Sequence, residues 1–356
     1  MNRPFFTVVM PAYGVEKYLK KAVDSIRAQS FGDWELIIVE DGSPDRTGEL
    51  AEKLAKKDPR IHAVHHERNQ GLSAARNTGI SHGKGKYIWF MDPDDYVDPC
   101  LLEELWKAFR ENPAKLAVFG HKEEYYEKDG TFSYAHEIKP EKAFCRTPEE
   151  VRGHILTLEQ ETLYGYAWNK AYDLDYIRAK GLSYEKVPLI EDIVFNIQYC
   201  MDVDSMNLLD ISPYHYGKRM EGNLTARFVP DYYPLHRRRI AMLYEQQKYW
   251  NRDDQKTRSL LGSLYGRYIL SALERNCDRR AQMKHKDRVK FCREVFADPL
   301  FLRLIPEAGA KDSKALSISL FCIKNRSVLL CTALGRGIHL IRGSLPMLYS
   351  KVKSQR

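Results

Sequence analysis

No stretch of this 356-residue chain is apolar for long enough to cross a bilayer. Met1–Pro4 run straight into Phe5–Met10, too short a run for a signal-peptide core, so export is not expected. The seven cysteines (Cys100, Cys145, Cys200, Cys277, Cys292, Cys322 and Cys331) form no CxxC pair. That argues against a zinc or disulfide framework and for the reduced thiols of a cytosolic protein. No G-x-G-x-x-G follows the first apolar run, where Pro11-Ala12-Tyr13-Gly14 stands, so a dehydrogenase is disfavoured. A P-loop is absent, as is the glycine- and arginine-rich loop of enzymes that make sugar nucleotides. No nucleic-acid-binding motif is present and the aromatics lie mostly in the acidic half, so no nucleic-acid partner is expected. Internal repeats and low-complexity tracts are also missing.

What is present is a charge split. Residues 235–356 hold 26 Lys+Arg against 10 Asp+Glu, a net of +16, which leaves residues 1–234 at −8. Such asymmetry suggests an acidic catalytic half and a basic half that meets something anionic, nucleic acid and an anionic membrane both qualifying on charge alone. The segment Ala315–Ile341 mixes Leu, Ile, Phe and Val with Lys324, Arg326 and Arg336, and Arg342 follows it. An apolar face ringed by cations is what an interfacial helix needs. Packing on the protein's own core is the simpler alternative.

The first 120 residues alternate. Apolar runs at Thr7–Met10, Trp34–Val39, Ile61–Val64, Tyr87–Met91 and Leu116–Gly120 predict strands. Between them, Glu16–Ala28, Thr47–Lys57, Ser73–Ser81 and Leu101–Arg110 read as helices. Alternation with short connections predicts a doubly wound α/β sheet, mostly parallel, with flanking helices and ligands at the carboxyl ends of its strands. Glu123–Arg146 reads as a hairpin or irregular insert, Pro148–Leu158 and Ile190–Met201 as helices, and Met206–Leu209 and Tyr214–Tyr216 as short strands. Past Pro230 the pattern turns helical and basic. The expected division is 1–230, with halves 1–120 and 121–230, and 231–356.

The fourth strand stops in Asp92, Asp94 and Asp95, with Pro93 ending any ladder. Three carboxylates in four positions repel one another, and a fold that gathers them usually supplies a cation. Hard oxygen ligands at a strand end suit Mg²⁺ or Mn²⁺, often shared with substrate phosphates. The bland alternative is a solvated turn, with Asp98 capping the next helix ahead of Pro99. The adjacent His65 and His66 point to opposite faces of a strand and are read as structural.

Four further features fall at strand ends or downstream: Pro11-Ala12-Tyr13, Asp41-Gly42-Ser43, Asn69-Gln70-Gly71 leading to Arg76, and the pair Trp168-Asn169-Lys170 and Glu191-Asp192. In order and spacing these resemble the family 2 glycosyltransferases of the glycosyltransferase-A fold, over roughly residues 5–220. The resemblance implies transfer of a sugar from a UDP-sugar with inversion at the sugar carbon. It implies that Pro11, Ala12, Tyr13, Asp41, Gly71, Arg76 and Asp92 meet the nucleotide-sugar, and that Asp92, Asp94 and Asp95 supply the metal ligands. Asp192, with Glu191 beside it, is implied as the base that takes the acceptor's proton. Trp168, Asn169 and Lys170 are expected to hold a sugar or phosphate, and Tyr216, Lys218 and Arg219 to close the site. Gly14 departs from the Asn that often follows that Tyr in the family. A lipid-linked saccharide at the inner face of the membrane is the expected acceptor. The alternative is a finished teichoic acid or lipopolysaccharide.

Overall fold

The computed structural model describes residues 3–127, 129–218, 228–309 and 314–344, with the side chains of 314, 315, 343 and 344 excepted. Two units form, Met1–Ala226 and Arg227–Arg356. All seven cysteines are free.

In the first unit, β1 (Phe6–Ala12) and β2 (Trp34–Glu40) are buried at every position, as strands covered by helices on both faces must be. Helix α1 (Leu19–Arg27) lies between them in sequence; α2 (Thr47–Ala55), β3 (Ile61–His65), α3 (Leu72–His82) and β4 (Tyr87–Phe90) follow. β1 pairs in parallel with β2 and with β4, and β2 with β3. The loops after β1, β2 and β4 therefore meet along one sheet edge. Gly79 of α3 faces Val9, where an added Cβ would stand 2.2 Å from the valine Cγ1. That close approach presses α3 onto the sheet and fixes its inward residues at the strand ends.

Beyond β4 the sheet departs from the parallel expectation. β5 (Tyr96–Val97), α4 (Leu101–Glu111), β6 (Leu116–Tyr126), β7 (Phe132–Ile138), β8 (Ala143–Cys145) and α5 (Pro148–Gln160) precede β9 (Lys170–Asp173). After α6 (Leu174–Ala179) and α7 (Glu191–Cys200) comes β10 (Met206–Lys218). The order is β3-β2-β1-β4-β9-β6-β10-β5, with β7 on β6 and β8 on β10. β9 enters antiparallel between β4 and β6, so the strand read from Leu116 does not pair with β4 directly. β6 and β7 make the expected hairpin. The two short strands expected in 206–216 are one, β10, with a register shift between Leu209 and Tyr214 around Pro213, which cannot donate to a ladder. Asp98 does not cap α4; its carboxylate meets His215 Nε2 (2.9 Å) and Lys122 Nζ (3.3 Å).

The second unit is helical: α8 (Tyr232–Tyr249), α9 (Gln255–Arg275), α10 (His285–Ala297), α11 (Pro299–Leu304), α12 (Lys314–Lys324) and α13 (Val328–Ser344). α9 is its centre, burying Leu261, Leu264, Tyr265, Ile269, Ala272 and Leu273. Among the described residues no helix is long and apolar enough to cross a membrane.

Candidate active site

The loops after β1 and β2 are laced together. The amides of Gly14, Val15 and Glu16 donate to Ser43 Oγ (3.2 Å), Thr47 Oγ1 (2.9 Å) and Asp45 Oδ2 (3.2 Å). Pro11 and Ala12 are buried at the end of β1, and Tyr13 beyond them is 50% exposed, its ring open at the edge. Asp41 follows β2 and is buried, with both oxygens committed. Oδ1 accepts from the Gln70 amide and Oδ2 from the Gly71 amide, each at 2.8 Å, and Oδ1 lies 2.6 Å from His66 Nδ1. Asp41 thus clasps the turn that brings Gly71, at φ +94°, to the start of α3. The second histidine, His65, bonds Glu40 and Glu52, so the pair shares no partner. Beside this clasp opens a cavity of about 480 Å³ lined by Arg68, Asn69, Gln70, Ala74 and Lys186.

Arg76 holds the centre. Its side chain is 1% exposed. Nη1 donates to Asp192 Oδ1, Nη2 lies 3.6 Å from Asp92 Oδ1, and the guanidinium sits over the Tyr184 ring at 5.1 Å. Burial opposes its charge, but Asp192, Tyr184 and Asp92 outweigh burial and raise its pKa, so the guanidinium stays protonated. One cation on α3 thereby joins the carboxylate after β4 to the one opening α7. The loop before α7 is pinned to the same helix: Ser73 Oγ donates to Glu185 O (2.9 Å), and Asn77 exchanges bonds with both backbone groups of Tyr184. Leu189, at φ +70°, turns the chain into α7.

The carboxylates differ in surroundings. Asp192 Oδ2 accepts from the Ala167 amide at 3.0 Å. Glu191 is pushed up to about 7, first by burial and then by Asp192, against Arg76. Asp92 is also pushed up to about 7, by burial opposed by Arg76 and reinforced by Asp94, Asp192 and Glu191. Arg76 Nε and Glu191 Oε2 are buried without a hydrogen-bond partner, an arrangement that leaves polar groups for a ligand or water to satisfy.

Asp95 does not fit the expected metal role. It is buried, Oδ2 accepts from Tyr214 OH (2.8 Å) and Oδ1 from the Gly217 amide (3.0 Å), so it ties β10 to the β4 edge. Burial, then Asp94 and Asp92, pushes this carboxyl well up. Among the described residues no three His, Cys, Asp or Glu side chains form a ready metal cage. Asp92 and Asp94 remain. Two hard carboxylates at a strand end fit the Mg²⁺ mode in which one or two carboxylates share the ion with substrate phosphates.

Trp168, Asn169 and Lys170 are also placed otherwise than expected. Trp168 is 2% exposed, stacked between Tyr166 (4.6 Å) and Tyr214 (4.5 Å), so both faces are covered. Asn169 and Lys170 are fully buried. Lys170 Nζ donates to Leu163 O (2.6 Å), Tyr166 O (2.7 Å) and Asn169 Oδ1 (2.8 Å), and burial lowers its pKa to about 7. These three residues brace the 163–169 loop, whose Ala167 amide orients Asp192. Lys218 pairs with Glu123 at 2.6 Å and Tyr216 lies beside Trp168, whereas Arg219 falls outside the described residues. Tyr184 and Tyr214, which organise the site, were not singled out from sequence as site residues; neither stands in a motif, and only the aromatic richness of the chain hinted at them.

Residues 7–171 match the family described as Glycosyl transferase family 2. The chain is 32% identical over 216 residues to the uncharacterized glycosyltransferase EpsJ of Bacillus subtilis, covering 60% of this chain and 61% of that one. It is 37% identical over 115 residues to the minor teichoic acid biosynthesis protein GgaB of the same organism, 32% of this chain and 13% of that one. The chain thus spans about three fifths of the length of EpsJ. Among solved structures, S. aureus TarS 1–349 in complex with UDP-GlcNAc superposes with TM-score 0.68 at 18% identity, covering 93% of this chain and 90% of that one. At that identity the likeness concerns the fold. Residues 7–171 are thus similar to the family 2 glycosyltransferases, and the chain has the glycosyltransferase-A fold of its structural neighbour.

Proposed function

We propose that the chain is a metal-dependent, inverting glycosyltransferase that moves a sugar from a UDP-sugar to a lipid-linked saccharide in the making of a cell-surface polysaccharide. The observation that carries this reading is the Arg76 bridge between Asp92 and Asp192. It sets a donor-side carboxylate and a candidate base around one buried cation. The nucleotide takes the cavity beside Gly71, with the exposed Tyr13 ring as a face for the base. The UDP complex of TarS supports this class of donor.

Asp192, held by Arg76 and the Ala167 amide, takes the proton from the acceptor hydroxyl as its oxygen bonds the sugar carbon. The bond to the nucleoside diphosphate breaks with its electron pair on the departing phosphate oxygen. Mn²⁺ or Mg²⁺, held by Asp92 and Asp94 with the donor's phosphates, would neutralise charge on that leaving group. Glu191, raised to about 7, spares the site a second full charge.

The acceptor we assign sits at an anionic membrane surface, the inner face of the cell membrane, which the basic unit 227–356 meets. A finished teichoic acid is the second reading, favoured by the GgaB likeness; offering each acceptor with the same donor separates the two. The donor site is tested by calorimetric titration of UDP with Mn²⁺ and with EDTA, beside Asp94→Ala. Binding that needs both the ion and Asp94 is expected. Equal binding in EDTA would remove the metal from the reading, and no binding at all would remove the donor.

A further inference from the structure

Helices α12 and α13 have two apolar faces, and the second unit uses one. Leu316, Leu320 and Ile323 of α12 and Cys331 of α13 are buried inside it. Ile318 and Phe321 on α12, and Leu329, Leu330, Leu340 and Ile341 on α13, point outward and are between 43% and 76% exposed. Their spacing is helical: 318 and 321 on one helix, and 329, 333, 336 and 340 in a row on the other, all exposed. Large apolar side chains exposed in this number on neighbouring helices mark an interaction site. Lys324, Arg326 and Arg336 stand exposed around it, Arg342 pairs with Glu274 of α9 at 2.9 Å, and residues 314–356 contain eight Lys+Arg and no Asp or Glu.

We infer that the outward face of α12 and α13 is the part of the chain that enters the membrane, lying flat with Phe321, Leu329 and Leu340 among the acyl chains of an anionic bilayer. Charge selects this occupant. A second copy of the same face would set Lys324, Arg326 and Arg336 against their own counterparts with no acid within 314–356 to answer them, whereas an anionic lipid surface answers all three. Neither helix is apolar enough to span, and a cation-rimmed apolar stripe on a docked helix is the form of an interfacial contact. The inference deepens the membrane placement proposed above and rests on it, but vesicle binding needs neither donor nor acceptor.

The test uses the full chain with vesicles of phosphatidylcholine alone or mixed equally with phosphatidylglycerol. Co-sedimentation with the anionic vesicles only is expected, and Phe321→Ser with Leu340→Ser should weaken it by roughly tenfold or more, each change removing a large exposed apolar group that the bilayer would bury. Circular dichroism and UDP titration on the same variant should be unchanged; unchanged UDP binding keeps the donor site separate from the outcome. Equal vesicle binding by the variant would overturn the inference. So would a native chain that ignores vesicles and self-associates, with the variant monomeric, since the face would then join copies.

Discussion

The two units stand in opposite relations to water. The first buries charge: Arg76, Asp95 and the Glu191-Asp192 pair lie inside or nearly inside the protein at the ends of β1 and β4, with Asp92 at their rim. The second exposes apolar surface: Ile318, Phe321, Leu329 and Leu340 face outward among cations. Each arrangement is costly alone. A buried ion loses several kcal/mol of solvation unless paired, and exposed apolar area forgoes about 25 cal/mol for each Å² it could hide. The difference teaches what each unit lacks. The cleft, where Asp92 and Glu191 are pushed up to about 7, lacks positive charge. The helical face lacks an apolar medium with a negative rim.

The largest effect should come from removing the base. Asp192→Asn is expected to cut sugar transfer by about 10²–10⁴-fold while UDP binding holds. Single-turnover transfer and UDP titration on one preparation check this. Loss of both together would mean that the Arg76 and Ala167 contacts of Asp192 matter for assembly of the site, and the contrast between a reactive cleft and an inert face would break there. Next is Arg76→Ala, which leaves Asp192 and Asp92 without their shared cation. A loss of about 3–5 kcal/mol in urea unfolding is expected. Adding Asp192→Asn should recover part of it, because the two residues are coupled. A loss below about 1 kcal/mol would show that water already reaches the pair.

Much of this contrast was legible in the sequence. β1, β2 and β4 declared themselves because strands buried at every position are largely apolar, and the acidic clusters fell where those runs stop, whereas β3 is half-exposed and showed only in Ile61, Ala63 and Val64. β9 was not legible: Lys170–Asp173 is four residues long and carries a lysine, yet it runs through the middle of the sheet. A buried lysine is readable only once its three acceptors are known to converge, and they come from Leu163, Tyr166 and Asn169 folding back. Trp168 misled for a related reason. An aromatic beside polar residues suits a sugar face, and only tertiary structure shows that Tyr166 and Tyr214 already cover it. Asp95 likewise cannot be told from Asp94 in sequence; the register of β10 against β5 decides which carboxylate is bonded away.

Lys170 yields the third prediction. Its pKa is lowered to about 7 by burial, below its unfolded value. Above about 7 the folded chain holds it neutral while the unfolded chain still binds the proton, so the unfolded state carries more protons. Stability from this group therefore rises with pH from about 7 toward the ordinary lysine range, falls back as pH returns toward 7, and is level below that, where both states hold the proton. In Lys170→Met that slope should vanish, so the native chain gains on the variant between pH 7 and 9 in urea midpoints, a window set by the shift itself. Parallel profiles would mean the ammonium stays charged among its three acceptors, and that charge in this unit is tolerated by hydrogen bonding without any shift.

The smallest effect belongs to the helical face. Arg336 lies exposed in the row of Leu329 and Leu340. A cation near an anionic bilayer contributes about 1 kcal/mol, so Arg336→Ser should weaken vesicle binding by roughly fivefold at low salt. The deficit should shrink as salt screens the surface. Thermal unfolding should move little, since an exposed charge already in water gives up no solvation when the chain folds. Here the comparison with Arg76 is sharpest: both are arginines, one buried between two carboxylates and one beside leucines at the surface. If Arg336→Ser unfolded the protein as Arg76→Ala should, its side chain would be packing on the helices, and the outward face would be part of the unit's own core. A change confined to vesicle binding, and graded with salt, would place the charge at a lipid surface.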